Sequence, residues 1–253
     1  MFETTLVFII FFTFVLAGFV KGVIGLGLPT VSLALLTVAI DLPSAMALLL
    51  VPSLVTNVWQ AMVGGNARII VLRLWPFLVM ATITVWFGAI ALAHVELPLL
   101  CALLGVLLVA YALIDLSGFR ITVTAKNEKW IGPLLGAVNG ILTGMTGSFV
   151  VPGVMFLQAI GLSRDMLIQA MGMLFAVSTL ALAVALKSNH LLTSQYGIAS
   201  AGALLPAIAG MLVGQRVRKQ LPEPLFRVVF FISLLILGIY IVVSSFTRYA
   251  GLK

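Results

Sequence analysis

The sequence predicts an all-α integral membrane protein of two inverted repeats, each a broken, re-entrant helix pair followed by three transmembrane helices. Three observations carry that expectation. The 253 residues are 62% hydrophobic and only 8% charged, whereas soluble domains carry about 25% charged residues. The apolar residues fall into blocks near 5–40, 43–63, 71–93, 97–116, 131–160, 165–186, 194–215 and 225–246. Short motifs recur in the same order on either side of one polar stretch, Ser117 to Lys129. The expected boundaries are a first membrane repeat at 1–116, a linker at 117–130 and a second repeat at 131–253. Together they form one membrane domain, with no room for a soluble one.

The N-terminal Met-Phe-Glu-Thr-Thr lacks the positive region of a signal peptide, so it is expected to stay as part of the first membrane segment. The first block, of about 35 residues, would be roughly 50 Å long as one helix. The hydrocarbon core is only about 30 Å thick. At the middle of the block stands Gly18-Phe-Val-Lys-Gly-Val-Ile-Gly-Leu-Gly-Leu-Pro-Thr30. Gly22, Gly25, Gly27 and Pro29 are expected to break the helix there. Broken backbone at membrane depth is tolerated only inside protein or beside a wet cavity. Lys21 lies at the same break, where an ammonium costs about 3 kcal/mol or more unless partnered. Exposed amides, a lysine and Thr30 in one place read as an anion site. Lys21 is a substrate counter-charge, a proton carrier or a snorkelling side chain, and the functional readings are preferred.

In the second block, Asn57 and Gln60 are polar groups in an apolar run, as is Gln169 in the sixth. Such residues usually face the interior of a bundle. Interhelical hydrogen bonding is the competing account. Asp41 and Asp165 precede or begin apolar blocks and read as helix caps. Trp59, Trp75, Trp86 and Trp130 read as interface anchors, and His94 with Glu96 as a solvated pair. The single Cys101 supports neither a disulfide framework nor a metal cluster. The ten methionines are scattered without Cys or His company, so they read as core and no cofactor or metal is expected. The net charge of +7 belongs mostly to loops and does not indicate nucleic acid.

The fifth block carries Gly132, Gly136, Gly140 and Gly144 at intervals of four, as Gly18 and Gly22 do in the first. Stripes of this kind let helix backbones approach closely. Packing is the expected role of Gly132 and Gly136. Gly144, beside Thr146, is assigned to a second break, with Gly140 next to it. Asn139, Thr143, Thr146 and Ser148 could either coordinate an oxyanion or satisfy the backbone freed by that break.

The halves match in four places. Gly18-Phe-Val-Lys-Gly22 pairs with Gly136-Ala-Val-Asn-Gly140, which puts Asn139 where Lys21 stands. Gly25-Leu-Gly27 with Pro29 pairs with Gly144-Met-Thr-Gly147 with Pro152. Asp41 to Met46 pairs with Gly161 to Met166, and Gly88 with Leu97-Pro98 pairs with Gly214 with Glu223-Pro224. Interrupted hydrophobic segments at corresponding places in two halves point to a transporter binding site.

Charge bias chooses the topology. If both long blocks enter and return to the side they came from, one side collects Arg68, Arg73, Arg120, Lys126, Lys129, Arg164, Arg216, Arg218, Lys219 and Arg227. The other collects Lys187, Arg248 and Lys253. Eight simple spans would instead divide these residues eight to five. The ten-to-three division fits the positive-inside rule better. It makes the halves inverted, with the linker in the cytoplasm and both termini outside.

The Gly18 to Pro29 motif, its second copy from Gly136 to Pro152, and the run from Gly214 through Arg216 to Leu221-Pro222 resemble the sulfite exporter TauE/SafE family. The resemblance covers nearly the whole chain. It implies a multi-pass transporter of the bacterial inner membrane for sulfite, sulfonates and related organosulfur anions. This chain departs from the commoner Gly-Gly-Gly form of the motif, with Gly-Leu-Gly-Leu in one half and Gly-Met-Thr-Gly-Ser in the other. The expectation is a secondary transporter, an exporter with the proton as its coupling ion. Its partners are a small anion, protons and the lipid bilayer, and a homo-oligomer is left open. An intramembrane enzyme is disfavoured: no metal-binding His/Glu pair, Gly-x-Ser-x-Gly elbow or paired intramembrane aspartate is visible. A scaffold or assembly protein using a transporter-like fold is the alternative. No phosphate-binding Gly-x4-Gly-Lys-Ser/Thr loop occurs to make the chain a pump in its own right.

Overall fold

The computed structural model describes residues 3–119, 121–218 and 223–251. Arg120, Lys219 and Lys253 of the charge count, and the Leu221-Pro222 pair of the family motif, lie outside the described residues. Among the described residues the chain forms helices and no strand. The first half holds α1 (Thr4–Ile24), α2 (Leu28–Ala39), α3 (Leu42–Met62), α4 (Ala67–Ile83), α5 (Val85–His94) and α6 (Leu97–Leu116). The second holds α7 (Ala125–Thr146), α8 (Gly153–Ala159), α9 (Arg164–Ser188), α10 (Ser194–Val217) and α11 (Glu223–Gly251). Each half is an interrupted pair followed by three long segments, with α4 and α5 counting as one.

Seven of these segments are long and apolar enough to cross a membrane: α1, α3, the α4–α5 run, α6, α9, α10 and α11. The first block is broken as its length demands, yet α1 alone keeps 21 residues, roughly 31 Å of helix. The third block, which reads as one run in sequence, is interrupted at Thr84. The Thr84 hydroxyl lies 2.7 Å from the Met80 carbonyl and 2.9 Å from that of Ala137. A threonine bonded back to the carbonyl four residues earlier bends its helix.

The chain divides into two compact units that interleave the halves. One comprises Met1–Pro52, Val95–Phe119 and Leu192–Lys253, the other Ser53–His94 and Arg120–Leu191.

In the first unit α1 packs on α10 and α6 on α11. A Cβ on Gly18 would collide with the Ala207 carbonyl, and one on Gly22 with that of Met211; Gly210 and Gly214 meet the carbonyls of Val15 and Phe19 in the same way. The two series rise together, so α1 and α10 run parallel at backbone contact. Only residues without a side chain allow that approach. Helices α6 and α11 run antiparallel, Gly105 against Val242 and Gly238 against Val109. At one end of that pair Arg227 grips the Asp115 carboxylate with two nitrogens. Pro52 inside α3 has no N–H to give the Leu48 carbonyl. Buried Ser200 of α10 supplies the missing donor at 2.7 Å and accepts from the Val51 amide at 3.0 Å.

In the second unit α7 packs on α4 and α5. A Cβ on Gly136 would strike the Phe77 carbonyl, one on Gly140 the Thr84 hydroxyl, and one on Gly144 the Val85 carbonyl. This pairing is again parallel. In each unit, then, the helix that precedes a break lies parallel to the second long segment of the other half.

Gly22 and Gly144 therefore do not form the breaks expected of them. Both are helical residues whose missing side chains admit a neighbouring backbone. The backbone turns instead at Gly25, Gly27 and Gly147, with φ of 80°, 110° and 74°. Left-handed values of this kind are open to glycine at little cost.

Candidate functional site

The break of the first unit spans three residues. Gly25 ends α1 in the left-handed conformation, and its amide donates to the Lys21 carbonyl at 2.8 Å. Gly27 precedes α2, and Pro29 stands in the first turn, where a missing N–H costs nothing. No side chain caps the start of α2, so its first amides keep their positive polarity for another partner. Around this turn lie Lys21, 5% exposed, and Thr30, 3% exposed. Among the sequence candidates, Lys21, Gly25, Gly27 and Thr30 thus gather at one break, with Gly22 one turn back as a packing residue.

The break of the second unit is held by side chains. Asn139 is fully buried in α7, and its Oδ1 accepts from the Gly153 amide at 2.9 Å. It thereby caps the helix across the break. A Cβ on Gly153 would press on that same oxygen, so glycine is needed for the contact. The Thr143 hydroxyl donates to the Ser148 carbonyl at 2.9 Å, and the Ser148 amide reaches the Thr146 hydroxyl at 3.2 Å. Of the two roles open to Thr143 and Thr146, satisfying the freed backbone is the one with visible partners. The Asn139 Nδ2 has no hydrogen-bond partner among the described residues, although it is buried. An amide donor left over at a break is a group that an oxyanion could accept.

Asn57, Gln60 and Gln169 sit on α3 and α9 within the same unit. Gln60 donates to the Ile168 carbonyl at 2.7 Å, while Gln169 donates to the Ala61 carbonyl at 2.8 Å. Gln169 also accepts from the Asn66 amide at 3.0 Å. Two glutamines thus cross between α3 and α9, satisfying the end of one helix and the turn that leads to α4. Asn57 donates to Ser53 at 2.9 Å, and Ser53 contacts Thr179 at 3.3 Å. Asp41 caps α3 as expected, accepting from the Ser44 amide at 2.9 Å. Asp165 does not cap α9. It lies in the first turn, and Ser163 is the cap.

Sequence reasoning passed over Gly147 as a break residue, Gly153 as the seat of the Asn139 contact, and the Arg73–Glu128 pair at the outer ends of the α7–α8 pair. Gly147 and Pro152 stood inside the repeated motif, so the signal was present. The pairing of Arg73 with a glutamate 55 positions away had no local signal.

Seven segments long and apolar enough to cross a membrane, with two further helices set off by glycine turns, define a multi-pass membrane protein. The model of the sulfite exporter TauE/SafE family matches residues 10–241, and the chain belongs to that family of membrane transporters. No curated protein and no solved structure matches it significantly.

Proposed function

We propose that this chain is a secondary transporter exporting small sulfur-containing oxyanions, sulfite or organosulfonates, across the bacterial inner membrane with the proton as coupling ion. The observation that carries the proposal is the unit-one break. Buried Lys21 and the uncapped start of α2 stand together there, in a chain whose family is one of sulfite exporters. Half-helix N-termini and a cation are what a desolvated anion requires. In the second unit the Asn139 Nδ2 is the corresponding donor, with Thr143, Thr146 and Ser148 shaping the backbone around it.

Inverted halves are part of the same proposal. The recurrence of parallel pairs, α1 on α10 and α7 on α4–α5, supports duplication of one unit of sequence. So does the placement of both ends of the α7–α8 pair beside Arg73, as expected of a segment that enters and returns.

Radiolabelled sulfite flux in proteoliposomes under an imposed proton gradient tests the reading. The expected result is gradient-dependent flux that competes with a short organosulfonate. Absence of flux for every oxyanion tried, from correctly folded protein, would overturn it.

A further inference from the structure

Among the described residues, four buried side-chain atoms lack a hydrogen-bond partner: Thr37 Oγ1, Tyr111 Oη, Asn139 Nδ2 and Ser178 Oγ. Thr37 and Tyr111 belong to the first unit, Asn139 and Ser178 to the second. Both residues of the second unit are fully buried. Most buried polar atoms in folded proteins are paired, so two orphans in one unit call for a physical account.

Ser178 lies on α9, and its neighbours fix the way it faces. Leu174 and Phe175 both touch the second break. A Cβ on Gly153 would meet the Leu174 side chain as well as the Asn139 carboxamide. The ring centroids of Phe175 and Phe149 are 5.9 Å apart, and Phe149 stands in the turn between α7 and α8. Successive helical residues are about 100° apart around the axis. Ser178 therefore falls between Leu174 and Phe175, about 40° from the first and about 60° from the second, and roughly 6 Å along the axis from Leu174. Helical Cβ atoms lean toward the N-terminus, so the Ser178 side chain leans back toward both. It faces the break that Asn139 caps.

The unused atoms decide the class of ligand. Buried helical serines elsewhere in this chain donate to the carbonyl four residues back, Ser32 at 2.7 Å and Ser245 at 2.6 Å, the usual habit of a hydroxyl within a helix. Ser178 makes no such bond. At Asn139 the Gly153 amide donates to Oδ1, so the remaining end of the carboxamide is its NH2, which can only donate. A cation would meet N–H hydrogens there. An oxyanion would accept from Nδ2 and from the Ser178 hydroxyl, and hydrogen bonds to a charged oxygen are roughly twice as strong as neutral ones. We propose that Ser178 and Asn139 together form an oxyanion site at the second break, with Ser178 as a binding residue for the transported anion. The proposal rests on the transport reading and gives the second break its own share of the substrate.

Sulfite titration calorimetry on the full-length protein in detergent, paired with thermal unfolding in sulfite-free buffer, tests the site. Ser178→Ala is expected to weaken sulfite binding at least tenfold. The same variant should melt no lower than the parent without sulfite, because the hydroxyl it removes is buried with no protein partner to lose. Asn139→Asp keeps an acceptor for the Gly153 amide, loses the donor and adds a repelling charge, so it is expected to lose sulfite binding. Should that variant fail to fold, Ser178→Ala decides alone. A Ser178→Ala protein that melts lower than the parent would make the hydroxyl a structural group or the anchor of a buried water, and would overturn the proposal. Parent-like sulfite affinity in Ser178→Ala, with Lys21→Met weakened, would overturn this site and leave the transport reading standing. Failure of the parent protein to bind either sulfite or methanesulfonate would remove both.

Discussion

The guanidinium of Arg73 grips both carboxylate oxygens of Glu128, at 2.8 and 2.7 Å, and donates to the Ile160 carbonyl at 2.9 Å. Glu128 lies in the first turn of α7, and Ile160 follows α8. One residue of α4 therefore ties together the start of α7 and the end of α8, the two outer ends of the interrupted pair. This arrangement needs arginine, because its planar fork matches a carboxylate and Nη2 keeps a second N–H for the carbonyl.

The first prediction concerns that re-entry. In a background lacking Cys101, cysteines placed at Lys126 and at Asp165 should be labelled from the same side of the membrane by an impermeant reagent. Cysteines at Phe119 and Ala250, at opposite ends of the antiparallel α6–α11 pair, should be labelled from opposite sides. Labelling of positions 126 and 165 from opposite sides would make the α7–α8 segment a crossing and end the inverted-repeat proposal.

The second concerns Arg73 itself. Arg73→Met leaves the Glu128 carboxylate, 8% exposed, without its partner and frees the Ile160 carbonyl. Hydrogen bonds to charged groups are worth about 1.5–3 kcal/mol each, but Arg73 is partly solvated, so a total near 2 kcal/mol is expected. Arg73→Lys keeps the charge and loses the fork, and should fall between. Thermal unfolding in detergent measures the order: parent, then lysine, then methionine. Equal melting temperatures for all three would make the pair an incidental surface contact.

The third concerns close helix contacts. Gly210→Val would drive a side chain into the Val15 carbonyl, and Gly88→Val one into that of Ile141. Overpacking costs about 1–3 kcal/mol, and here the obstacle is backbone, which yields little. Gly202, also in α10, has open space where a Cβ would go. Gly202→Ala should therefore stabilise by up to about 1 kcal/mol through helix propensity. Melting temperatures of the three variants decide it, and a neutral Gly210→Val would mean that α1 and α10 are not at backbone contact.

The glycines also show where sequence reading reaches its limit. Gly25 and Gly27 were legible as a break because they closely precede Pro29 in the middle of a run too long for one span. Gly22 and Gly144 looked equivalent to them and are not. A glycine that turns the backbone and one that admits a neighbouring helix are the same letter, and only the neighbour tells them apart. Gln60 and Gln169 stood out as polar groups in apolar runs. Their partners, Ile168 and Ala61, lie 108 positions away and are main-chain carbonyls, which leave no mark in a sequence. Helix order, by contrast, follows from block length and punctuation alone, and the structure keeps the expected sequence of a broken pair and three long segments in each half.

The last prediction concerns Lys21. An anion that leaves water for a protein interior loses hydration worth several kcal/mol, and protein groups must replace it. The start of α2 offers amides with no side-chain cap, and the positive end of the helix dipole favours a negative charge there. Amides alone bind anions weakly. A buried ammonium one turn before Gly25 adds an attraction that low local dielectric strengthens. Lysine and arginine separate charge from proton transfer at this position. Arginine keeps its proton under all ordinary conditions, whereas lysine can release one when buried. Lys21→Met is therefore expected to lose at least about tenfold in substrate affinity, roughly 1.4 kcal/mol. Lys21→Arg should bind within a few fold of the parent and yet transport poorly, with flux that no longer responds to a proton gradient. Sulfite affinity and proteoliposome flux, both measured against pH, separate these outcomes. If Lys21→Met binds as tightly as the parent protein, the lysine is not a ligand, and amides and hydroxyls must form the anion site without it. If Lys21→Arg transports normally under a proton gradient, the coupling proton travels through another group.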